Sequence, residues 1–314
     1  MYPRISDIFI DLFGFELPFP IYSFGAMVAV AVLTAAWLTG HELDRLYEEG
    51  RLSGVQIDRG KSGKSRRRGA DVVGPSALMG TITILALAAG FGGAKLFHIL
   101  ENLGEFAEAP ARMIFSTGGF TFYGGLLVAA LAIGWYLRRK GLRVPLVADA
   151  VGPGLMLAYG IGRIGCHLAG DGDWGISSDL AARPGWIPEW LWAETYPNNI
   201  LNIELASPGV YPTPIYEFLM ASILFGILWS LRGHPFRAGW LFSLYLLFAG
   251  FERILIEQIR VNNTFDLLGM TVTQAEVISV LMMAGGAAGL VVLSRKRAAE
   301  ARVQPSTVAQ STSS

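Results

Sequence analysis

Basic residues are scarce in the apolar parts of this 314-residue sequence. Those that do occur there stand near carboxylates, histidines and glycines. Arg163 and His167 are four apart, Lys95 and His98 three apart, and Arg253, Glu257 and Arg260 follow at i, i+4 and i+7. Residues at these intervals share one face of a helix. An arginine near membrane depth costs roughly 2.5–3.5 kcal/mol on insertion scales, so it is kept where it has a partner or a task. A guanidinium fixed by a carboxylate suits an anionic group, above all a phosphate, which it grips through two parallel hydrogen bonds. Glu257 can pair with either arginine and so reduce the cost of burying it. The structural alternatives are an ion pair at a helix end for Arg253 and Glu257, and a snorkelling arginine in a helix cap for Arg163.

The surroundings of Arg163 sharpen the reading. From Gly160 to Gly175 the chain holds six glycines, with Asp171 and Asp173 close behind Cys166 and His167. Glycines permit close approach of backbone or ligand, and positive φ where a helix ends. Tyr123 is followed by Gly124 and Gly125, which puts a phenol where other groups can approach; an ordinary interface tyrosine is the competing reading. Tyr216 and Glu217 add a further carboxylate. His98, His167, Asp171 and Asp173 lack the tight His-x-x-x-His or Cys-x-x-Cys spacing of a metal centre, so neither a metal nor an organic cofactor is expected. The run 60–65, Gly-Lys-Ser-Gly-Lys-Ser, does not read as a nucleotide loop, because Asp58 stands where the first glycine is needed and no strand is expected before it.

The elements that must position these residues are apolar helices. With 52% hydrophobic and only 16% charged residues, the chain reads as an all-α polytopic membrane protein. Seven runs of 18–22 mainly apolar residues are long enough to cross ~30 Å of hydrocarbon: about 21–39, 76–97, 120–137, 146–167, 214–231, 238–257 and 272–293. Residues 1–20 mix aromatics, acids and prolines without the basic region and cleavage site of a removable signal peptide, so they read as an interfacial arm before a retained span. Residues 168–213, with Trp174, Trp186, Trp190 and Trp192, read as an outer cap in the headgroup layer, either a lid or a structural belt. Residues 1–297 form a single transmembrane domain, and 298–314 a polar, disordered cytoplasmic tail.

Charge sets the expected orientation. Segments 41–75, 138–144, 232–237 and 294–314 carry eighteen of the twenty-five lysines and arginines. A seven-span topology places all four in the cytoplasm, with the N-terminus outside and the C-terminus inside. The loop 51–75 is then a flexible basic cytoplasmic loop whose Arg66, Arg67 and Arg68 meet anionic inner-leaflet headgroups. Lys95, Arg163 and Arg253 fall near the outer ends of the second, fourth and sixth spans, and three cations at one depth point to a site for something anionic. The zero net charge says nothing about nucleic acid, because the sum hides this asymmetry along the chain; no nucleic-acid partner is expected.

Five stretches resemble the prolipoprotein diacylglyceryl transferase family, in the family's order, over about 21–293. They are Tyr22-Ser-Phe-Gly-Ala-Met, Phe122-Tyr-Gly-Gly-Leu-Leu, Gly162-Arg-Ile-Gly-Cys-His-Leu-Ala-Gly, Tyr211-Pro-Thr-Pro-Ile-Tyr-Glu and Phe251-Glu-Arg-Ile-Leu-Ile-Glu-Gln-Ile-Arg. The resemblance implies a seven-span enzyme of the bacterial cytoplasmic (inner) membrane with its site towards the outer leaflet. Its reaction would move diacylglyceryl from phosphatidylglycerol to the thiol of the lipobox cysteine of a preprolipoprotein, releasing glycerol phosphate. Membrane lipids and preprolipoprotein signal peptides are the implied partners. The family's two essential arginines map onto Arg163 and Arg253, and the glutamate beside the second onto Glu257. Two positions depart from the common pattern: Tyr123 stands where histidine is usual, and Cys166 where asparagine is usual.

The implied chemistry distributes the remaining roles. Arg163 and Arg253, with Lys95 and the open backbone at Gly124 and Gly125, are expected to bind the lipid phosphate and stabilise it as it leaves. A thiol with an unperturbed pKa near ~8.5 must lose its proton. A phenol titrating near ~10 is a poor base, so Tyr123 is assigned to hydrogen bonding the headgroup and His167 to proton removal. Arg260, Asp171, Glu217 and His98 complete the candidate set. The competing expectation from another class is a non-catalytic lipid-binding or lipid-moving membrane protein that kept the family fold.

Overall fold

The structure, a computed structural model, describes residues 1–15, 20–57, 71–116, 118–119, 121–262, 264–267 and 270–294. Most of the basic loop, including the 60–65 run and Arg66 to Arg68, and the polar tail lie outside the described residues. Ten helices are described: α1 Ile5–Phe13, α2 Ser23–Glu48, α3 Met79–Glu101, α4 Leu103–Glu108, α5 Pro110–Phe115, α6 Phe122–Arg139, α7 Val144–Ala169, α8 Thr213–Ser230, α9 Trp240–Glu257 and α10 Gln274–Leu293. Two antiparallel strand pairs accompany them, β1 Val55–Ile57 with β2 Asp71–Val73, and β3 Thr264–Leu267 with β4 Met270–Thr273. The expectation that no strand precedes the 60–65 run needs correction, since β1 ends at Ile57; Asp58 in place of the first glycine still argues against a nucleotide loop.

Among the described residues, five helices are long and apolar enough to cross a membrane: α2, α3 with the 3-10 turn that opens at Pro75, α7, α8 and α10. The chain is therefore a multi-pass membrane protein. The other two expected spans are helices too. However, α6 ends on Arg138 and Arg139, and α9 contains Glu252, Arg253 and Glu257, so charge sets them apart. Large apolar side chains such as Leu33 and Trp37 on α2, Ile84 and Phe91 on α3, and Val291 on α10 stand exposed, as lipid-facing residues do.

Among the described residues, contacts cluster into two units: one of residues 1–38 with 148–294, the other within 39–147. In the first unit, Met156 of α7, Ala221 and Leu228 of α8, and Leu241 and Leu244 of α9 form a buried core. Small residues bring α9 and α10 together. A Cβ on Gly250 would lie 2.6 Å from the Ser279 carbonyl, and one on Gly286 2.6 Å from that of Ser243. Such seams let helices associate where water gives no hydrophobic drive. Asp149 of α7 is buried and accepts from the backbone N–H of Gly239 at 2.7 Å and of Phe242 at 2.8 Å, capping the start of α9 from a neighbouring helix. Between α7 and α8 the chain is irregular, with two short 3-10 turns and bridges that pair Val210 with Ser177 and Glu194.

In the second unit, α3 and α6 pack through glycines. A Cβ on Gly93 would strike Val128, and one on Gly125 would lie 2.6 Å from the Gly90 carbonyl.

Candidate active site

The first unit gathers three guanidinium groups around one buried carboxylate. Glu217, fully buried near the start of α8, is the hub. Arg163, on the last third of α7, places its Nε 2.6 Å and its Nη2 2.5 Å from Glu217 Oε2. The same guanidinium donates through Nη1 to Asp173 Oδ2 at 2.5 Å and lies 3.6 Å from the Cys166 sulfur. Arg253 of α9 reaches Glu217 Oε1 at 3.4 Å through Nη1 and Glu257 Oε2 at 3.1 Å through Nη2. Arg260 donates to Asp173 Oδ1 at 2.6 Å, with Nη1 3.8 Å from Glu217 Oε1. Three arginines thus share two carboxylates, Glu217 and Asp173, with Glu257 steadying the most exposed of the three.

A second layer fixes the hub. Tyr159, one turn before Arg163 on α7, donates its hydroxyl to Glu217 Oε1 at 2.8 Å and lies 3.4 Å from Glu252 Oε1. Thr213 at the start of α8 donates to the Asp173 carbonyl at 2.7 Å, and Asn262 donates to Glu257 Oε1 at 2.7 Å. Asp173 sits outside the helices. Burial works against its ionisation, but Arg163 and Arg260 outweigh it and hold its pKa at about 2. Its neighbour Asp171 is pushed the other way, upward, chiefly by burial.

The expectation that Arg253, Glu257 and Arg260 share one helical face needs correction. Helix α9 stops at Glu257, and the turn that follows is captured by a bridge between Arg260 and Gly175, with Ile176 N–H on the Ile259 carbonyl at 2.8 Å. That bridge, and not helical spacing, aims Arg260 at Asp173. Glu257, expected to serve either arginine, serves Arg253.

His167 turns away to Tyr196, whose hydroxyl lies 3.2 Å from Nδ1. Tyr196 is buried under Trp174, with ring centroids 5.0 Å apart, and burial raises its phenol pKa. Among the described residues, one trio could offer a cation three ligands: Cys166, Asp171 and Asp173, with ligand atoms within 4.8 Å. Both Asp173 oxygens already accept from arginines, so this donor set suits guanidinium rather than a metal.

The remaining candidates belong to the second unit. Lys95 Nζ donates to the carbonyls of Ser116 and Gly118 at 3.1 and 2.8 Å and to Ser116 Oγ at 2.7 Å. Its three hydrogens therefore clamp a loop, a use that the expectation of a phosphate ligand did not include. His98 contacts the Asn102 side chain at 3.3 Å, and Gly119, at φ +71°, packs directly on its imidazole. Tyr123 opens α6, and a Cβ on Gly124 would strike Phe97, which gives that glycine a packing role between α3 and α6.

The sequence marks Glu217 only as a further carboxylate, and it does not mark Tyr159 or Glu252 as site residues. The signal for Glu217 was its place at the end of the run from Tyr211. Nothing local marks Tyr159, because tyrosine is common in apolar helices and only the fold brings it to two carboxylates.

The model of the prolipoprotein diacylglyceryl transferase family matches residues 12–292. Among similar proteins are the phosphatidylglycerol–prolipoprotein diacylglyceryl transferases of three bacteria. That of Chromohalobacter salexigens is 29% identical over 315 residues, covering 98% of this chain and 99% of its own length. That of Clostridium tetani is 29% identical over 256 residues, covering 82% and 86%. That of Frankia alni is also 29% identical over 263 residues, 81% of this chain, which spans only 59% of that longer relative.

Proposed function

The chain belongs to the prolipoprotein diacylglyceryl transferase family, and on that premise we propose that it transfers diacylglyceryl from phosphatidylglycerol to the cysteine thiol of a prolipoprotein. One observation carries the proposal: three arginines from two parts of the chain, the end of α7 and the end of α9 with the turn after it, converge on Glu217. In the reaction the thiol sulfur bonds to the primary carbon that joins the diacylglyceryl group to phosphate. The carbon–oxygen bond breaks, and glycerol phosphate leaves with the electron pair. Negative charge grows on that phosphate, and preorganised cationic donors in a water-poor site lower the barrier to its departure.

Arg253 is the guanidinium best able to receive the phosphate. It is the least buried of the three, and at 3.4 Å it holds Glu217 more loosely than Arg163 does at 2.5 Å. Arg163 is held on two carboxylates and supplies a fixed fork beside it. Glu217 and Asp173 orient the arginines and balance their charge until an anionic headgroup competes for the outward N–H groups. His167 takes the thiol proton at Nε2 in the tautomer whose Nδ1–H donates to the Tyr196 hydroxyl oxygen, 3.2 Å away. In this reading the protein sits in the bacterial cytoplasmic membrane as one transmembrane domain of seven spans, with this cluster and the 168–213 cap on the outer face. The acceptor enters as the signal-peptide region of a membrane-bound preprolipoprotein, and membrane lipids surround and supply the donor.

Complementation tests the reading. A host depleted of its own transferase and expressing this chain should accumulate thioether-lipidated proprotein, read by mass spectrometry. Unmodified proprotein alongside confirmed membrane insertion would refute it.

A further inference from the structure

Among the described residues, Glu252 of α9 is the buried carboxylate beside the arginine cluster that no arginine or lysine holds. It is 2% exposed, and its hydrogen-bonding neighbour is the Tyr159 hydroxyl, 3.4 Å from Oε1. Arg253, the next residue, gives its Nη1 to Glu217 and its Nη2 to Glu257 instead. Taking a carboxylate out of water without a cation is so costly that the group keeps its proton. The hydrogens of Tyr159 point the same way. A phenol has one to donate, and the nearer acceptor is Glu217 Oε1 at 2.8 Å. Towards Glu252 only a lone pair is then left, and two oxygens with no hydrogen between them repel. A hydrogen on Glu252 Oε1 makes that contact attractive and completes a chain from Glu252 through Tyr159 to Glu217. At 3.4 Å this link is longer than the usual ~2.5–3.0 Å, so burial without a cation carries most of the weight.

The charges around Glu252 give that proton a consequence. Arg163, Arg253 and Arg260 face Glu217, Asp173 and Glu257, three charges against three. A neutral Glu252 leaves this balance level, whereas an ionised one tips it negative and repels an anionic headgroup. The groups facing Glu252 come from each element packed around it: Tyr159 and Arg163 of α7, Glu217 of α8, and Arg253 of α9 itself. Helix α10, which also packs on α9, carries Glu276 as its one titratable side chain, and Glu276 accepts from the backbone N–H of its own N-cap, Thr273, at 2.8 Å.

Resting on the transferase reading, we propose that Glu252 carries a proton in the working enzyme and acts through Tyr159 as a positioning residue, steadying Glu217 and keeping the arginine cluster receptive to an anionic lipid headgroup. Infrared spectra of the full chain in detergent at neutral pH test the proton directly. The parent should show the C=O stretch of a protonated carboxylic acid, Glu252→Gln should lack it, and Tyr159→Phe should shift it. Alkaline titration of the parent alone should remove the same band, so the reading survives a variant that fails to fold. Binding of fluorescent phosphatidylglycerol tests the role and needs no turnover. As pH rises from about 6 to about 10, the parent should lose affinity about tenfold as Glu252 ionises, whereas Glu252→Gln, neutral throughout, should hold its affinity. Affinity for zwitterionic phosphatidylcholine should move in neither, which separates a charge effect from a disturbed fold. A parent that shows the acid band and this pH dependence but transfers nothing would refute the transferase reading and leave the proton on Glu252 standing. A transferring parent without the acid band, the same pH dependence in parent and Glu252→Gln, or equal loss of both lipids would overturn the role of Glu252.

Discussion

Glu217 is the residue on which the site turns, because a fully buried carboxylate facing three arginines both neutralises and orients them. Glu217→Gln keeps the shape and removes the charge, leaving only Asp173 and Glu257 to balance three guanidinium groups and Arg163 without its buried partner. Breaking a buried ion pair in this way costs about 3–5 kcal/mol. The variant should therefore melt earlier in detergent and lose about 10²-fold or more in turnover per folded molecule, since small displacements of the arginines are amplified in the rate. Arg163→Lys poses the complementary question. Lysine retains the charge but cannot place parallel hydrogen bonds on Glu217 and a phosphate together. It should insert and fold nearly normally while turnover falls sharply, mostly in kcat. Near-normal turnover would reduce Arg163 to a helix-end charge. Asp173 makes a pH prediction. Its pKa of about 2 lies below the ordinary carboxylate value of ~3.9, so its bridge stabilises the fold above that ordinary value and is lost as pH falls towards 2. The stability gap between parent and Asp173→Asn should stay constant from pH 7 to about 5 and close only below about 4. Of this cluster, Arg163, Arg253 and Glu257 were legible from spacing, since charges are conspicuous in apolar runs. Tyr159 and Glu252 were not, because their meaning comes from residues 58 and 93 positions away.

Helices were the easiest part to read. Each expected apolar run coincides with a helix to within a few residues at most ends, because length and hydropathy alone decide burial in a bilayer. The exceptions have local causes. Helix α2 continues to Glu48, nine residues past the expected end of its apolar run, because its last turns are charged: Arg45 pairs there with Glu42 and Glu49. The arm before it is itself helical over Ile5–Phe13 and holds Phe9 against Phe13 and Phe15. The cap of Asp149 on α9 was invisible in sequence, since donor and acceptor are ninety residues apart. It yields a prediction for the element. Asp149→Ala removes the acceptor for two N–H groups and should cost about 1 kcal/mol, within the 0.5–2 range for a lost cap. Faster hydrogen exchange should appear in the first turn of α9, while the distant arginine cluster keeps its activity. Loss of activity without a change in exchange would show that Asp149 does something other than cap.

At the scale of the whole molecule the open question is how many times the chain crosses the bilayer, and it has a sharp experimental answer. Five helices pass on length and apolarity alone, whereas α6 and α9 carry charge. Five and seven crossings both put the two ends of the chain on opposite sides, so a reporter at either end decides nothing. Internal segments do decide. If α6 and α9 do not cross, the cluster Arg138, Arg139, Lys140 and Arg143 lies on the same side as the N-terminus, and the Trp-rich segment between α7 and α8 on the opposite side. If both cross, these assignments are exchanged. Physical chemistry favours crossing. The 18 residues of α6 span about 27 Å at 1.5 Å per residue, close to the hydrocarbon thickness, and its arginines sit in its last turn, where they reach the interface. The charges of α9 are not bare either: Arg253 meets Glu217 and Glu257, and Glu252 lies by the Tyr159 hydroxyl. Basic residues also favour the cytoplasmic side. A fusion at Lys140 should therefore report cytoplasm and one at Asn198 the outside, with Asn102 outside as a control common to both topologies. Lys140 outside together with Asn198 inside would establish five crossings, and would move the arginine cluster to the cytoplasmic face, away from any acceptor exported across the membrane.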